Sequence, residues 1–330
     1  MNQDTFVSKH EATWQAFEQW LAAENTRSRK KKKHERPDQT DIPHLYRQIC
    51  HHLALARDRR YSAHLVDRLN GLVLQGHQRL YQVQRFGLHQ FSRFLFVEFP
   101  RNVRREWRLV LFASLLFYGP LVGMFVAAQV KPEIVYSLMS PEEVMQFEVM
   151  YSPTAEKLGR KLWERGSDDD FLMFGIYIKN NIGIGFQTFA GGLLFGLGSV
   201  FYLVFNGLYI GTVAGHLTQV GSATPFFSFV SGHSALELTA IVLAGVAGIR
   251  LGLALLKPGR RTRVRALREA GQQSLPLVYG LALMLVGAAF VEAFWSSMTA
   301  LDPQIKYTVG IVFWVLTFSY FLFAGLGRED

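Results

Sequence analysis

Cysteine is almost missing from this chain: Cys50 stands alone among 330 residues. No intramolecular disulfide can form, and the lone thiol suits a reducing compartment around the N-terminal part. The stretch ahead of the lysine run that begins at Lys30 lacks the short apolar core of a signal peptide, so membrane insertion is expected to be directed by the first true span. No Gly-x-Ser-x-Gly, no Walker sequence, no Rossmann fingerprint and no His-Glu-x-x-His occurs. The chain is therefore expected to be non-enzymatic, with no cofactor and no metal. Basic residues are also scarce over long stretches, because most of the lysine and arginine lies before residue 110 or after Leu256. The net charge of +9 conceals two unlike parts, a basic N-terminal region and a series of apolar runs rich in Gly, Phe and Leu.

The longest of those runs organises the rest. His233 to Leu256 is nearly all apolar, and a helix needs about 20 such residues to cross a bilayer. It is followed by Lys257, Arg260, Arg261, Arg263, Arg265 and Arg268, set against the single acid Glu269. A span that ends in such a cluster ends in the cytoplasm. Working outward from that point gives an all-α, polytopic membrane protein with about six spans, at 107–130, 182–204, 207–221, 233–256, 275–299 and 307–326. Both termini then lie on the cytoplasmic side of an inner membrane, with an outer loop at 131–181. Its stretch from Lys131 to Lys179 holds six basic and nine acidic residues, net −3. The tract from Ile182 to Gly221 must cross twice to keep the topology even, and it is expected to break near Asn206-Gly207. That leaves a short third span.

Small residues mark where backbones can approach. Gly207, Gly211 and Gly215 recur every four residues, Gly192 and Gly196 repeat the spacing, and Gly119 and Gly123 offer a further contact on the first span. A homo-oligomer is expected on these faces. In the outer loop, Ser140-Pro141-Glu142-Glu143 reads as a helix start. Val144, Met145, Phe147, Val149 and Met150 would let that helix lie on the membrane surface. A second start is read at Ser167-Asp168-Asp169-Asp170.

Ahead of the spans, Phe6, Trp14, Phe17 and Leu21 give an amphipathic helix over 1–25. Residues 26–42 form a basic linker with Lys30 to Lys33 in a row, which could attract anionic lipid and carries no motif for nucleic acid. Residues 43–106 read as a cytoplasmic helical bundle built on leucine stripes. Six histidines lie between His44 and His89, but none is spaced as a metal pair, so they read as surface or packing residues.

Ionisable groups within spans default to function. His216, His233, Glu237 and Glu292, with Gln187, are all placed by the topology at one level in the outer leaflet. His233 and Glu237 share a helix face four residues apart. Three readings stay open for this polar cluster: hydrogen-bonded glue, a proton or ion relay, and a metal-dependent hydrolase that lacks a specified third ligand. Arg250, nearer the cytoplasmic end, can snorkel and reads as structural.

Several stretches together resemble the stage II sporulation protein M family. They are Asn180-Asn181-Ile182, Asn206-Gly207-Leu208-Tyr209-Ile210-Gly211, Gly232-His233-Ser234-Ala235-Leu236-Glu237, the run through Gly245, Gly248, Pro258 and Gly259, and Phe290-Val291-Glu292-Ala293-Phe294-Trp295. The resemblance covers roughly residues 100 to 330 and marks Asn181, Asn206, His233, Glu237 and Glu292. The basic helical region before it is similar to the longer, non-sporulating branch. The resemblance implies an integral membrane protein of a cell-envelope complex, with a cytoplasmic partner such as a MoxR-type ATPase. The expectation is a non-enzymatic scaffold within the lipid bilayer. The alternative is an ion- or proton-coupled transporter or channel that uses the outer cluster.

Overall fold

The computed structural model describes residues 1–29, 41–80, 87–152, 167–298 and 300–327, apart from the side chains of 23–29 and 167–169. The Lys30–Lys33 linker lies outside the described residues. Within them every regular element is helical, and the chain divides into two compact units, Met1–Phe86 and Gly87–Asp330.

The first unit packs three helices: α1 (Gln3–Arg29), α2 (Ile42–Asp58) and α3 (Ala63–Leu80). The N-terminal helix is thus part of the bundle, while residues 87–106 belong to the second unit. Phe6, Trp14, Phe17 and Leu21 form the inner stripe of α1 and meet Ile49, Leu53, Leu65 and Leu69. Periodicity alone does not announce this docking, because it is made by partners remote in the chain. Arg68 on α3 locks the joint by donating to both Glu11 and Glu18 on α1, at 2.8–3.3 Å. Asp41 caps α2 by accepting from the His44 amide.

One histidine is structural. His52 is buried, accepts at Nδ1 from the Trp14 indole at 3.1 Å, and stacks on His10 with ring centroids 3.9 Å apart. Burial, then the adjacent His10 and His51, pushes its pKa down to about 4. An unfolded chain takes that proton near pH 6.5. Stability from neutral His52 is therefore complete above about pH 6.5 and is lost as pH falls through about 4. Hydrogen exchange of α1–α3 in the full-length protein should show an opening free energy lower by ~2 kcal/mol at pH 4 than at pH 7. Exchange that does not change, once corrected for intrinsic rates, would contradict this role.

The second unit begins with α4 (Leu88–Arg93), a π-helical turn (Phe94–Glu98) and α5 (Phe99–Arg105). Phe99 is buried against Gly280, whose missing side chain makes the room. Six longer helices follow: α6 (Trp107–Val130), α8 (Ser167–Ala190), α9 (Leu197–Gln219), α10 (Ala223–Leu256), α11 (Arg263–Val291) and α12 (Pro303–Phe323). A shorter α7 (Pro141–Tyr151) lies between α6 and α8. Its Ser140 and Glu143 form the reciprocal capping box that the sequence announces.

Five of these helices are long and apolar enough to cross a membrane: α6, α9, α10, α11 with its continuation to Ser296, and α12. The sixth, α8, is as long but carries acids in its first turn and Lys179 within it. Its Phe171, Leu172, Ile176 and Phe186 nevertheless face outward, while its other side packs on α10 and α11. Outward rows such as Leu111, Leu115 and Val122 on α6, and Ile311, Val315 and Phe318 on α12, would be anomalous in water and suit lipid. The protein is a helical membrane protein.

Helix α10 is the centre: 67% of its apolar window is buried, against 17–39% in the other four. Around it the expected boundaries move. The Ile182–Gly221 tract breaks at Gly191–Gly196, not at Asn206-Gly207. A 3-10 turn covers Gly191–Leu193, and Phe195 and Gly196 adopt φ of 54° and 86°. Asn206 sits inside α9, its amide donating to the Tyr202 carbonyl at 2.7 Å, so α9 is a full 23-residue helix and the short third span disappears. Helix α10 starts ten residues before His233, and α11 starts at Arg263, twelve before the expected Leu275.

Glycine sets the packing. A Cβ on Gly207 or Gly211 would fall 2.2 Å from the Phe117 or Leu121 carbonyl of α6, and Gly215 meets Ala128. The α8–α9 turn presses on α10 in the same way, with Gly192 against Gly248 and Gly196 against Gly252. Gly245 accommodates Leu203. Gly119 and Gly123 have nothing within 4 Å and face outward. Beyond α10, Lys257-Pro258-Gly259 turns the chain with Gly259 at φ 65°, and Thr262 caps α11.

Candidate intramembrane site

Two ends of the bundle can be told apart by charge. At one, Arg250 pairs with Glu106 at 2.9 Å and the basic turn at Lys257–Arg261 follows. This ion pair is what makes Arg250 tolerable near the end of α10. His233 lies several helical turns back from Arg250 along the same helix, a distance that takes up most of an apolar bilayer core. The polar residues of interest therefore lie in the half of the bundle away from the basic turn.

There α10 supplies His233 and Glu237 on one face. The π-helical turn Glu292–Ser296 that continues α11 supplies Glu292 and Ser296, and α8 supplies Asn181. One imidazole nitrogen and two carboxylate oxygens, from His233, Glu237 and Glu292, all lie within 4.8 Å of one another. His233 Nδ1 is 3.0 Å from Ser296 Oγ, and its Nε2 is 3.7 Å from Glu237 Oε2. Asn181 donates to Glu292 Oε2 at 3.4 Å. Lys306, buried at the start of α12, donates to the Ser296 carbonyl at 2.7 Å and so holds the turn in place. Gly232 lets Trp295 approach, since a Cβ there would lie 2.4 Å from the indole. A break in regular α-helix at this spot fits the habit of π turns to occur at functional positions.

Above the cluster opens a cavity of about 680 Å³, walled by residues such as Tyr209, Phe229, Ile311 and Trp314, with His233, Glu237 and Glu292 in its lining. Helix α7 closes one side with Phe147 and Tyr151, while its Met145, Val149 and Met150 face outward. The cavity is thus largely apolar with its polar groups gathered in one place, the usual composition of a ligand site. Among the described residues neither Glu237 nor Glu292 forms an ion pair with lysine or arginine, and Glu237 accepts no hydrogen bond.

Not every expected member joins. His216 is near the same end of α9, but its Nε2 bonds Glu148 of α7 at 2.7 Å and takes no part in the three-residue group. Gln187 is exposed on α8 and lies almost two turns past Asn181 toward the Gly191–Gly196 break. Its expected depth depended on starting the second span at residue 182, and the helix starts at Ser167. Ser296, Lys306 and Glu148 were not singled out from sequence. A lone serine within an expected span carries no signal of its own, Lys306 lies just before the expected sixth span, and Glu148 lies within the expected outer loop.

A sequence model of the family described as Stage II sporulation protein M matches residues 110–297, more than half of the chain. The chain belongs to this family. The match runs from α6 to the π turn and includes His233, Glu237 and Glu292. A second match, to a domain of unknown function, covers residues 4–82 and coincides with the three-helix unit. Among curated proteins, an uncharacterized protein of Methanocaldococcus jannaschii is 24% identical over 123 residues, which is 37% of this chain and 69% of that one. No solved structure matches the chain.

Proposed function

We propose that this stage II sporulation protein M family member is a cation-coupled transporter or transporter subunit of the inner membrane. The carrying observation is the His233–Glu237–Glu292 group set in the wall of a 680 Å³ cavity. Polar groups that merely glue helices satisfy each other, whereas Glu237 keeps unused acceptor capacity toward the cavity. The positive-inside rule favours a cytoplasmic Lys257–Arg268, which turns the cavity toward the outer half of the membrane, and with α8 counted as a sixth crossing both termini share the cytoplasmic side. A non-enzymatic role fits the commitment of the nearby hydroxyls. Ser296 Oγ pairs with His233, Ser231 Oγ donates to the Lys306 carbonyl, and Ser234 Oγ donates to the Ser231 carbonyl while accepting from Trp314. The test is proton and ion flux in proteoliposomes with wild type and Glu237→Gln, and equal flux from both would sink the reading.

A second role is supported by the separate three-helix unit, which has its own core. It is a docking module for a soluble partner, of which a MoxR-type ATPase is one candidate, and it makes the protein a scaffold as well. The outward Gly119-x3-Gly123 ridge on α6 supports a homo-oligomer. Cross-linking from Gly119→Cys in membranes reports on that contact.

A further inference from the structure

We infer that His233, Glu237 and Glu292 together bind one divalent transition-metal ion of the zinc, manganese or iron(II) class. This deepens the reading of the cavity as a cation site and rests on it. Sequence spacing alone leaves His-x3-Glu one ligand short. The fold supplies the third from α11.

Four observations lead to the metal. The first is reach. Metal bonds from imidazole nitrogen and carboxylate oxygen are about 2.0–2.2 Å, which places neighbouring donor atoms ~3–3.5 Å apart. The donor atoms here already lie within 4.8 Å of one another, so side-chain adjustments of about an ångström close the site. The second is orientation. His233 Nδ1 lies 3.0 Å from Ser296 Oγ, and in the tautomer with the proton on Nδ1 this contact leaves the Nε2 lone pair directed at the carboxylates. A metal-bound histidine is oriented in this way by a partner on its other nitrogen, and Asn181 plays the corresponding part for Glu292. The third is charge. When both are ionised, the two carboxylates and a neutral imidazole carry −2, and among the described residues no lysine or arginine pairs with either acid. Inside an apolar bundle such a charge needs compensation of opposite sign, and a divalent ion supplies it in full. The fourth is donor type. One nitrogen and two oxygens suit zinc, manganese or iron(II) better than calcium, which prefers all-oxygen shells, or copper(I), which prefers sulfur. Because the three protein ligands approach from α10 and α11, the coordination positions on the cavity side remain open to water or to a solute.

The experiment uses the full-length protein, purified in detergent, stripped with EDTA and titrated with Co²⁺, then with Zn²⁺ as competitor. The expected result is one Co²⁺ per chain with visible d–d absorption, displaced by one Zn²⁺. Glu292→Gln and Glu237→Gln, nearly isosteric, should weaken binding by more than about 100-fold, and Asn181→Ala by about 10-fold. His216→Gln and Glu148→Gln, a separate histidine–carboxylate pair, should leave it unchanged. Variants are compared only as monodisperse protein with wild-type helix content. If Glu292→Gln fails that criterion, Glu292→Asp replaces it and should also weaken binding. Wild type that takes up no Co²⁺, or uptake indifferent to both glutamates, overturns the assignment. Glu237-dependent proton flux without metal binding would retire the metal alone. Stoichiometric metal without any flux would retire the transport reading alone.

Discussion

Gly192→Ala and Gly248→Ala should each cost this membrane bundle about 3 kcal/mol or more, enough to remove most of the folded protein from a detergent extract. A Cβ on Gly192 would stand 2.1 Å from the Gly248 carbonyl oxygen, and one on Gly248 would stand 2.1 Å from Ser199 Oγ and 2.7 Å from the Phe189 carbonyl. Side chains can rotate away from an intruding methyl, but carbonyls that belong to facing helices cannot. The Ser199 hydroxyl is itself held, donating to the Thr188 carbonyl at 2.6 Å, so its escape would leave a buried acceptor without that bond. The only response left is to push the α8–α9 turn off α10, and this turn places α8, with Asn181, beside the glutamates. Gly175→Ala and Gly271→Ala are the controls, because both lie within helices, nothing lies within 4 Å of either, and neither belongs to the Gly119–Gly123 ridge. Alanine propagates a helix better than glycine by about 0.5–1 kcal/mol, so these changes should be neutral or mildly stabilising. Size-exclusion profiles and thermal midpoints of the four variants check the contrast. Equal behaviour of all four would mean that the turn does not pack on α10 as described.

The same glycines show why part of this fold could be read from sequence and part could not. A glycine in an apolar run has two opposite meanings, a break in the helix or a place where two helices touch, and hydropathy does not separate them. The expected break at Asn206-Gly207 combined an amide with a glycine and satisfied the even topology. In the structure the amide is spent inside α9 on Tyr202, and Gly207 is a contact with Phe117. The true break, at Gly191–Gly196, requires Phe195 in the left-handed region, which no propensity favours and which is held by packing on Gly252. Moving the break moved Gln187 away from the site while leaving His233, Glu237 and Glu292 together. Their depth was fixed by the basic turn after Leu256 and by helical spacing, both of them local signals. What joins elements remote in the chain, as Glu148 to His216 or Trp14 to His52, has no such signal.

Glu237→Gln should abolish flux while leaving the apo protein as stable as wild type, or more so. Two ionised carboxylates within 4.8 Å repel by about 3 kcal/mol or more at an effective dielectric of about 20, before any cost of removing them from water. An amide of nearly the same shape removes that repulsion and still presents a carbonyl oxygen to the cavity. Glutamine at 237 breaks no hydrogen bond, since Glu237 accepts none among the described residues. Glu292→Gln differs in one respect: it can keep the bond from Asn181 only through its carbonyl oxygen, so its gain should be smaller. If the cluster were structural glue, the order would invert. Each variant would then lower the thermal midpoint by several degrees, with flux absent from wild type to begin with. Thermal unfolding in EDTA, read beside proteoliposome flux for both single variants and the double variant, separates the two cases. Adding Zn²⁺ should raise the midpoint of wild type alone, because stabilisation by a ligand requires a site that only the native carboxylates complete. A residue pair that costs stability in the absence of its ligand, and is nevertheless placed at the wall of a cavity, is the pattern that function leaves on a fold.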